Sequence, residues 1–528
     1  MNYSVNLKDL PIFKKIIIDY LLQDKEIEDF SEGFPSKEKI ESMMEIKFRS
    51  AEIRKSLSSS ILSDYSNSEV SQAVIDNINL LSDSRTFTVT TGHQLNLFTG
   101  PLYFILKIAQ TIKLATQLKQ LFPGYSFVPV YWMASEDHDL EEINHIHLFN
   151  QKREWQTSQK GATGRMNTQG IDALGDNLKG LFENSPATKN LVEQITEIYN
   201  SSETLAGATR RIVHLLFPKE GIVVMDADKS ELKKHFIPLL LKELKESAVF
   251  EKMNRTNKEL KGLGCHAQVN PREINLFYLK DSSRNRIVRE KDKWSELNGE
   301  QSWSWEELEL EVNNFPERFS PNAAFRPLYQ EFILPNLMTV GGPGEVAYWL
   351  QLKSVFREFE VDFPFLQLRN SHLFLSKKQT ELLDEFSLKA SDLLTRKEEL
   401  LKSVAGELVK VDLKDDSTDI ISRLDDLTLK VINEDPTLEG KMLGVKKGLE
   451  NSLNQIQSKL EKSIKAKNSN KFSQLEKLHD SVTPGGKLNE RTINFLSLLN
   501  HINLEGFIEE ISISENDFTP KLYVHTNG

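Results

Sequence analysis

Apolar positions along this chain change their period twice. Up to about residue 85 they recur at helical spacing, separated by polar, Ser-rich turns such as SSSILSDYSNSE, and no convincing strand interrupts them; a helical segment packed on the core is predicted for 1–85. From Phe87 short β-rich runs alternate with helical ones: FTVTTG then PLYFILKIAQTIKLATQL, FVPVYWM then an acidic segment, GIVVMDAD then SELKKHFIPLLLKELKE, with DFPFLQLRNS as a further strand near residue 365. Strands alternating with helices predict βαβ units, hence an α/β fold with a doubly wound parallel sheet over 86–370 and connecting segments inserted in it. After about residue 371 the strands vanish. Leu382, Phe386, Leu393, Leu400 and Val404 form one helical pattern, and Met442, Val445, Leu449, Leu453, Ile456, Leu460 and Ile464 a second. With the polar link VDLKDDSTD and the breaker DPT between them, the two predict a long antiparallel coiled-coil hairpin over 371–483, each arm of about 40 residues reaching on the order of 60 Å. The alternative is a pair of amphipathic helices lying on the core. Pro484-Gly485-Gly486 stops the second pattern, and 484–528 is expected to return to the core and end in the strand-like KLYVHT.

Composition narrows the function classes. With 39% hydrophobic and 27% charged residues and no apolar run near the roughly 18 residues of a membrane span, no membrane partner is expected. The N-terminal amphipathic pattern is broken by Lys14 and Lys15 and lacks a small-residue cleavage site, so the expected location is cytoplasmic. Cys265 is the only cysteine, which excludes an intrachain disulfide and a Cys-rich metal site and favours a buried structural thiol over a nucleophile. A formal net charge of −11 argues against nucleic acid as a partner, because phosphate-backbone binding needs a basic surplus. Any anionic ligand must be held locally.

The loops after the predicted strands carry the chemistry. In TTGHQLNLFTGP, FTVTT is the strand, GHQLNLFTG the loop and Pro101 a good first helical residue; free amides at that helix start can bind an anion. Gly92, His93, Gln94, Thr99 and Gly100 are the candidates there, whereas Lys107, about two turns into the helix, is expected to lie too far away. The spacing matches neither GxGxxG nor GxxxxGK[ST], so this loop alone leaves a ligand site and a plain tight turn equally open. Beyond the second strand, Glu136, Asp137, His138, Asp139, Glu141, Glu142 and His145 crowd together. Such a group can coordinate Mg²⁺, orient an amine or act as a general base, or it can be an acidic helix start favoured by the macrodipole. There is no HExxH spacing and no zinc is inferred. Asp226 and Asp228 follow the third strand, and Gly341, Gly342, Pro343 and Gly344 open a helix whose first turn holds Glu345.

Taken together, TTGHQLNLFTGPLYFILK, FVPVYWMASEDHDLEEINHI, GCHAQVNPREINLFYL, FRPLYQEFILPNLMTVGGPGEVAYW and the late helical hairpin resemble the BshC family of bacillithiol biosynthesis, the cysteine-adding ligases. The resemblance runs from about residue 85 to the C-terminus. It implies a Rossmann-like core related to nucleotidyltransferases, a coiled coil, a homodimer, and addition of L-cysteine to glucosaminyl-malate in the last step of bacillithiol synthesis. The family commonly has Gln at the position of His93; since Gln exchanges no proton, an obligatory acid–base role for His93 is not implied. Joining a carboxylate to an amine requires activation, and ATP with Mg²⁺ is the natural agent. On that expectation the GHQLNLFTGP loop holds phosphate, the segment with Glu136, Asp137, His138 and Asp139 is catalytic and holds the amine or Mg²⁺, and Gly341, Gly342, Gly344 and Glu345 line the pocket with the first loop. A non-catalytic dimeric nucleotide-binding scaffold, or an adenylate-forming enzyme with another amine acceptor, are the competing readings.

Overall fold

The computed structural model describes residues 3–47, 49–66, 70–149, 151–409, 413–499, 502–512 and 517–526. Contacts divide the chain into two units: one runs through Phe374 and takes in Glu490–His525, the other comprises Leu375–Asn489.

The first unit is built on a five-stranded sheet whose strands, in chain order, are β1 (Thr86–His93), β2 (Ser126–Met133), β3 (Val223–Asp226), β4 (Asn336–Gly341) and β5 (Phe365–Leu368). They lie in the order β5-β4-β1-β2-β3, and every neighbouring pair is parallel. This is the doubly wound Rossmann-like arrangement that the alternating periods predict. β1 starts at the centre, the chain steps outward through β2 and β3, then returns to the other side for β4 and β5. The sheet is buried on both faces, and the threonines of β1 are accommodated there because the hydroxyls of Thr88 and Thr90 donate to Asn336 Oδ1 and that of Thr91 to Val340 O. Helix α1 (Tyr103–Leu121) follows β1 and buries Phe104, Ile105, Ile108 and Leu118; the short helix α2 (Pro343–Trp349) follows β4.

Three elements depart from the sequence expectation. The segment before residue 86 is not wholly helical: Tyr3–Asn6 is a strand, paired antiparallel with Lys521–Thr526 beside a third strand, Ser371–Leu375, so strands do not end at residue 371. An antiparallel sheet of Leu276–Lys280, Ser283–Glu290, Lys293–Glu296, Ser302–Trp303 and Phe319–Pro321 fills what was expected to be connecting chain. Of the Ser-rich stretch read as a turn, residues 58–63 are helical within Ala51–Ser63, with the Ser58 hydroxyl donating to Ile78 O at 2.9 Å and that of Ser63 to Ser60 O at 2.7 Å; residues 64–66 form a turn as expected, and 67–69 lie outside the described residues.

In the second unit the antiparallel pair is formed by Leu413–Glu434 and Glu439–Lys467, joined at Asp435-Pro436-Thr437. Their 22 and 29 residues correspond to about 33 and 44 Å, shorter than expected. The stretch read as a link is mostly the first turns of Leu413–Glu434; Val411 and Asp412 lie outside the described residues. The first pattern is two helices, Lys377–Glu385 and Lys397–Glu407, broken after Phe386 by Ser387 at φ +54°. Among the described residues no helix is long and apolar enough to cross a membrane.

The start of β4 is fixed by a buried polar network. Lys47, 4% exposed, donates to Glu331 Oε2 at 3.3 Å and to Asn336 O. Glu331 Oε1 accepts from Asn336 Nδ2 at 2.6 Å, and Asn336 Oδ1 in turn accepts from the hydroxyls of Thr88 and Thr90 on β1 at 3.1 and 2.8 Å. The network therefore sets the register of the two strands that flank the site below. Lys47→Met leaves the Glu331 carboxylate buried without its cation and is expected to lower the stability of this unit by about 3–5 kcal/mol. Urea unfolding followed by fluorescence of the buried Trp132 and Trp349 measures it; a loss below about 1 kcal/mol would show that water reaches Glu331.

Candidate active site

In a doubly wound sheet, ligands bind beyond the carboxyl ends of the strands where the strand order reverses, here between β1 and β4. A cavity of about 340 Å³ opens at that point. Gly92, His93 and Gln94 from the end of β1 line one side, and Gly342, Gly344 and Glu345 from the turn after β4 line the other. Thr91 Oγ1 donates to Val340 O at 2.9 Å and ties the two strand ends together. Lys107 also lines the cavity, against expectation: its Nζ donates to Gly92 O and to Glu345 Oε2 at 2.7 Å. Helical side chains lean toward the N-terminus of their helix, so a long side chain well inside α1 reaches back to the loop before it. Burial pushes the Lys107 ammonium below its ordinary pKa, opposed by the adjacent Glu345 carboxylate.

Three guanidiniums define the cavity's chemistry. Arg326 donates to Gln330 Oε1 at 2.9 Å and to the Tyr348 hydroxyl at 3.1 Å, and among the described residues no carboxylate pairs with it. Arg369 donates to Glu490 Oε1 at 2.6 Å and to Asn370 O at 2.9 Å, but its buried Nε has no partner. Arg491 is exposed, and both Arg369 and Arg491 lie over the ring of Tyr103, at 5.3 and 5.7 Å. A Cβ at Gly92 would stand 3.5 Å from Arg326 Nη1, and one at Gly342 would stand 3.8 Å from Arg369 Nε. Both distances are ordinary van der Waals contacts, so the two guanidiniums lie directly against these backbone positions. Such forks match carboxylate or phosphate oxygens.

His93 packs against Tyr103 and Phe104 at ring distances of 5.1 and 5.2 Å, with Nδ1 3.0 Å from Gln94 O. Burial, helped by the charge of Lys107, pushes its pKa down to about 3. The ring is neutral at pH 7.

Other residues singled out from sequence lie elsewhere. Thr99 and Gly100 do not line the cavity; their loop folds into the core, where Tyr199 Oη accepts from Phe98 N at 2.9 Å and Asn494 Nδ2 donates to Phe98 O and Gly100 O at 2.8 and 2.6 Å. The Leu102 amide is taken by Ile493 O at 2.8 Å, so the expected cradle of free amides at the start of α1 is not available. Gly100 has φ +59° and a Cβ there would fall 2.5 Å from Asn96 Cβ, so glycine is required by the fold. Gly341 is still within β4.

None of Glu136, Asp137, His138 and Asp139 lines the cavity. Glu136 is bound by the buried Lys233, burial nonetheless holding its carboxyl above the usual range. For Asp137, burial acts to raise the pKa, but hydrogen bonds from His138 and Gln94 and the charge of Arg284 outweigh it and hold the group well below the usual range. His138 accepts from Arg284 Nη1 at 3.0 Å and is exposed, as is Asp139. Asp226 accepts from Ser135 Oγ at 2.5 Å and Asp228 pairs with Arg165 at 2.7 Å, both away from the cavity. The one acid of this stretch that lines it is Glu142. Among the described residues no group of three His, Cys, Asp or Glu side chains is arranged to hold a metal ion, so the acidic segment does not fit as a Mg²⁺ site. Cys265 is buried and points its thiol at Asp19 Oδ2 at 3.8 Å, far in sequence from any cavity residue. Sequence reading missed Arg326, Arg369 and Arg491; the position of Arg369 directly after β5, at the same sheet edge, was the available signal.

Comparison with known proteins gives a consistent answer. Residues 2–370 match the model of "Bacillithiol biosynthesis BshC, N-terminal Rossmann-like domain", and residues 372–526 match "Bacillithiol biosynthesis BshC, C-terminal coiled-coil domain". A Flavobacterium johnsoniae protein named "Putative cysteine ligase BshC" is 38% identical over 491 residues, covering 92% of each chain. Proteins of the same name from Flavobacterium psychrophilum and Cytophaga hutchinsonii are 37% identical over 509 residues (95% of this chain, 94% of the relative) and 36% over 510 (96% and 95%).

The neutral state of His93 has a pH signature. Its folded-state pKa, about 3, lies below the ordinary 6.5, so the unfolded chain takes up a proton that the folded chain resists; the contribution of His93 is intact above pH 6.5 and is lost as pH falls below it. His93→Gln removes this titration. The stability difference between variant and unmodified protein should move in the variant's favour by up to about 1.4 kcal/mol per pH unit on going from pH 6.5 to pH 4. Paired urea titrations at pH 7 and pH 5 measure it, and a difference independent of pH would show that His93 is not held neutral.

Proposed function

The chain belongs to the BshC family of bacillithiol biosynthesis, a family of cysteine ligases, and from that premise we propose that it joins the carboxyl group of L-cysteine to the amine of glucosaminyl-malate in the cavity between β1 and β4. The observation that carries this reading is the guanidinium of Arg326, which pairs with no carboxylate among the described residues, in the same cavity as Arg369, whose buried Nε has no partner among them. Arg326 is half-buried and held by neutral acceptors only, so a carboxylate or phosphate ligand would give it a charge-assisted, bidentate partner. Both substrates carry carboxylates. Activation of the cysteine carboxyl requires a good leaving group, and ATP would supply it by converting the carboxylate to an acyl phosphate, a mixed anhydride; the guanidiniums fit such an anion as well as they fit malate. The protein's own part is to fix the carboxylates, keep His93 neutral and limit access of water behind Tyr103 and Tyr348. Mg²⁺, if used, would have to arrive on the nucleotide's phosphates.

A homodimer is part of the same proposal. Within the hairpin no side chain of Glu439–Lys467 is buried, and Leu427, Leu429, Leu443, Val445 and Ile456 are about half exposed or more. Apolar positions at helical spacing on both arms need a cover, and a second copy of the hairpin supplies a matching one. Light scattering at micromolar concentration should give twice the chain mass; Leu443→Glu with Ile456→Glu should give a folded monomer. A monomeric unmodified protein refutes the dimer.

Arg326→Lys keeps the charge and loses the fork. In cells lacking the native protein, this variant is expected to restore bacillithiol about 10- to 100-fold less well than the unmodified chain, with glucosaminyl-malate accumulating. Full restoration would remove the cavity from consideration as the anion site.

A further inference from the structure

Two carboxylates line the cavity, and their electrostatic situations differ. Glu345 is neutralised by Lys107 at 2.7 Å. Glu142, more than a third exposed, makes no ion pair among the described residues, although four cations line the same cavity: Lys107, Arg326, Arg369 and Arg491. Its side chain has one anchor, Gln94 Nε2, which donates to Glu142 Oε2 at 2.8 Å. The same nitrogen donates to Asp137 Oδ2 at 2.6 Å, so both amide protons of Gln94 are spent on carboxylates. The Gln94 backbone is fixed as well, its carbonyl accepting from the Tyr131 hydroxyl at 3.2 Å. Asp137 is held by the His138 amide at 2.8 Å, and Arg284 stands 3.8 Å away. Asn96 Nδ2 donates to the Glu142 main-chain carbonyl at 3.3 Å. A rigid chain therefore runs from Asp137 through Gln94 to Glu142, and leaves Glu142 Oε1 to the cavity.

A fixed carboxylate without an ion-pair partner among the described residues, in a cavity that guanidiniums also line, suits a ligand that is ammonium at one end and carboxylate at the other. We infer that Glu142 binds the ammonium group of glucosaminyl-malate and accepts its proton, with Gln94 and, behind it, Asp137 as positioning residues. The inference rests on the proposed acylation of that amine. The substrate R–NH₃⁺ gives one proton to Glu142 Oε1; the freed lone pair forms the C–N bond to the activated cysteine carboxyl carbon. The C–O bond to the phosphate leaving group breaks with its electron pair on oxygen, and the second nitrogen proton leaves to water.

The test is calorimetric, on the purified full-length chain at pH 7, with glucosaminyl-malate and its N-acetyl counterpart, which has the same carboxylates but no charge on nitrogen. The unmodified protein should prefer the amine by about 10-fold or more, and Glu142→Gln should abolish that preference by weakening amine binding alone, while Glu142→Asp restores part of it. Gln94→Ala should reduce the preference several-fold without changing affinity for the N-acetyl compound; a purely structural role would weaken both. Equal binding of the two compounds by the unmodified protein, or a preference that survives Glu142→Gln, overturns the assignment and leaves the substrate reading intact. If Glu142→Gln weakens L-cysteine binding instead, the ammonium it serves is that of cysteine and the assignment is again overturned. Binding of neither glucosaminyl-malate nor its N-acetyl form by the unmodified protein overturns the substrate reading and the inference together.

Discussion

The site depends on one buried ammonium. Lys107 is 3% exposed, and a charge removed from water is tolerated only where fixed dipoles or opposite charge replace its hydration. Two groups do so: the Gly92 carbonyl, at the end of the central strand, and Glu345, in the first turn of the helix after its neighbour. Satisfying Lys107 thus obliges the two strand ends on either side of the topological switch to converge on one point of α1. The cavity lies on that convergence. The guanidiniums of Arg326 and Arg369 lie in contact range of Gly92 and Gly342 at the rims of the same convergence.

The chain as a whole is acidic, with a formal charge of −11, yet cations outnumber acids in the cavity lining. The two facts are compatible because a protein's field at a cleft is set by nearby, poorly screened groups, whereas charges on distant solvated faces are damped within about 10 Å. Glu490 shows how the balance is kept. It accepts from Arg369, from Ser371 Oγ at 3.1 Å and from His372 N at 3.1 Å, and so aims the Arg369 fork. A residue from the returning C-terminal segment thereby orients a guanidinium that follows β5.

Four strands of the sheet, β1, β2, β3 and β5, were legible as short β-rich runs alternating with helical patterns, whereas β4 was not read as a strand and the loop after it stood out only by its glycines before a helix. The antiparallel sheet was not. Its strands are short, Ser283–Glu290 is rich in charge, and pairing between them, not local pattern, makes them strands. The first arm of the hairpin was placed too early because VDLKDDSTD reads as a polar link, whereas a polar stretch of this kind can equally belong to a solvent-facing helix, as its residues from Leu413 on do. Arg326, Arg369 and Arg491 were missed for a different reason: they come from three stretches far apart in sequence, and only the fold brings them to one cavity.

The acidic segment after β2 illustrates why crowded charges in a sequence do not identify the reacting group. Crowding predicts that something must neutralise each carboxylate, and here most of the neutralisation is internal: Lys233 takes Glu136, and Gln94 with Arg284 takes Asp137. A carboxylate whose charge is already spent on a neighbour gains little from a ligand. Asp139 and Glu141 are exposed to solvent, and the acid of this stretch that keeps its charge and also lines the cavity is Glu142, held there by Gln94 with Asp137 behind it. The segment therefore bears on the site through position, as a support that holds one carboxylate where a cationic ligand can meet it.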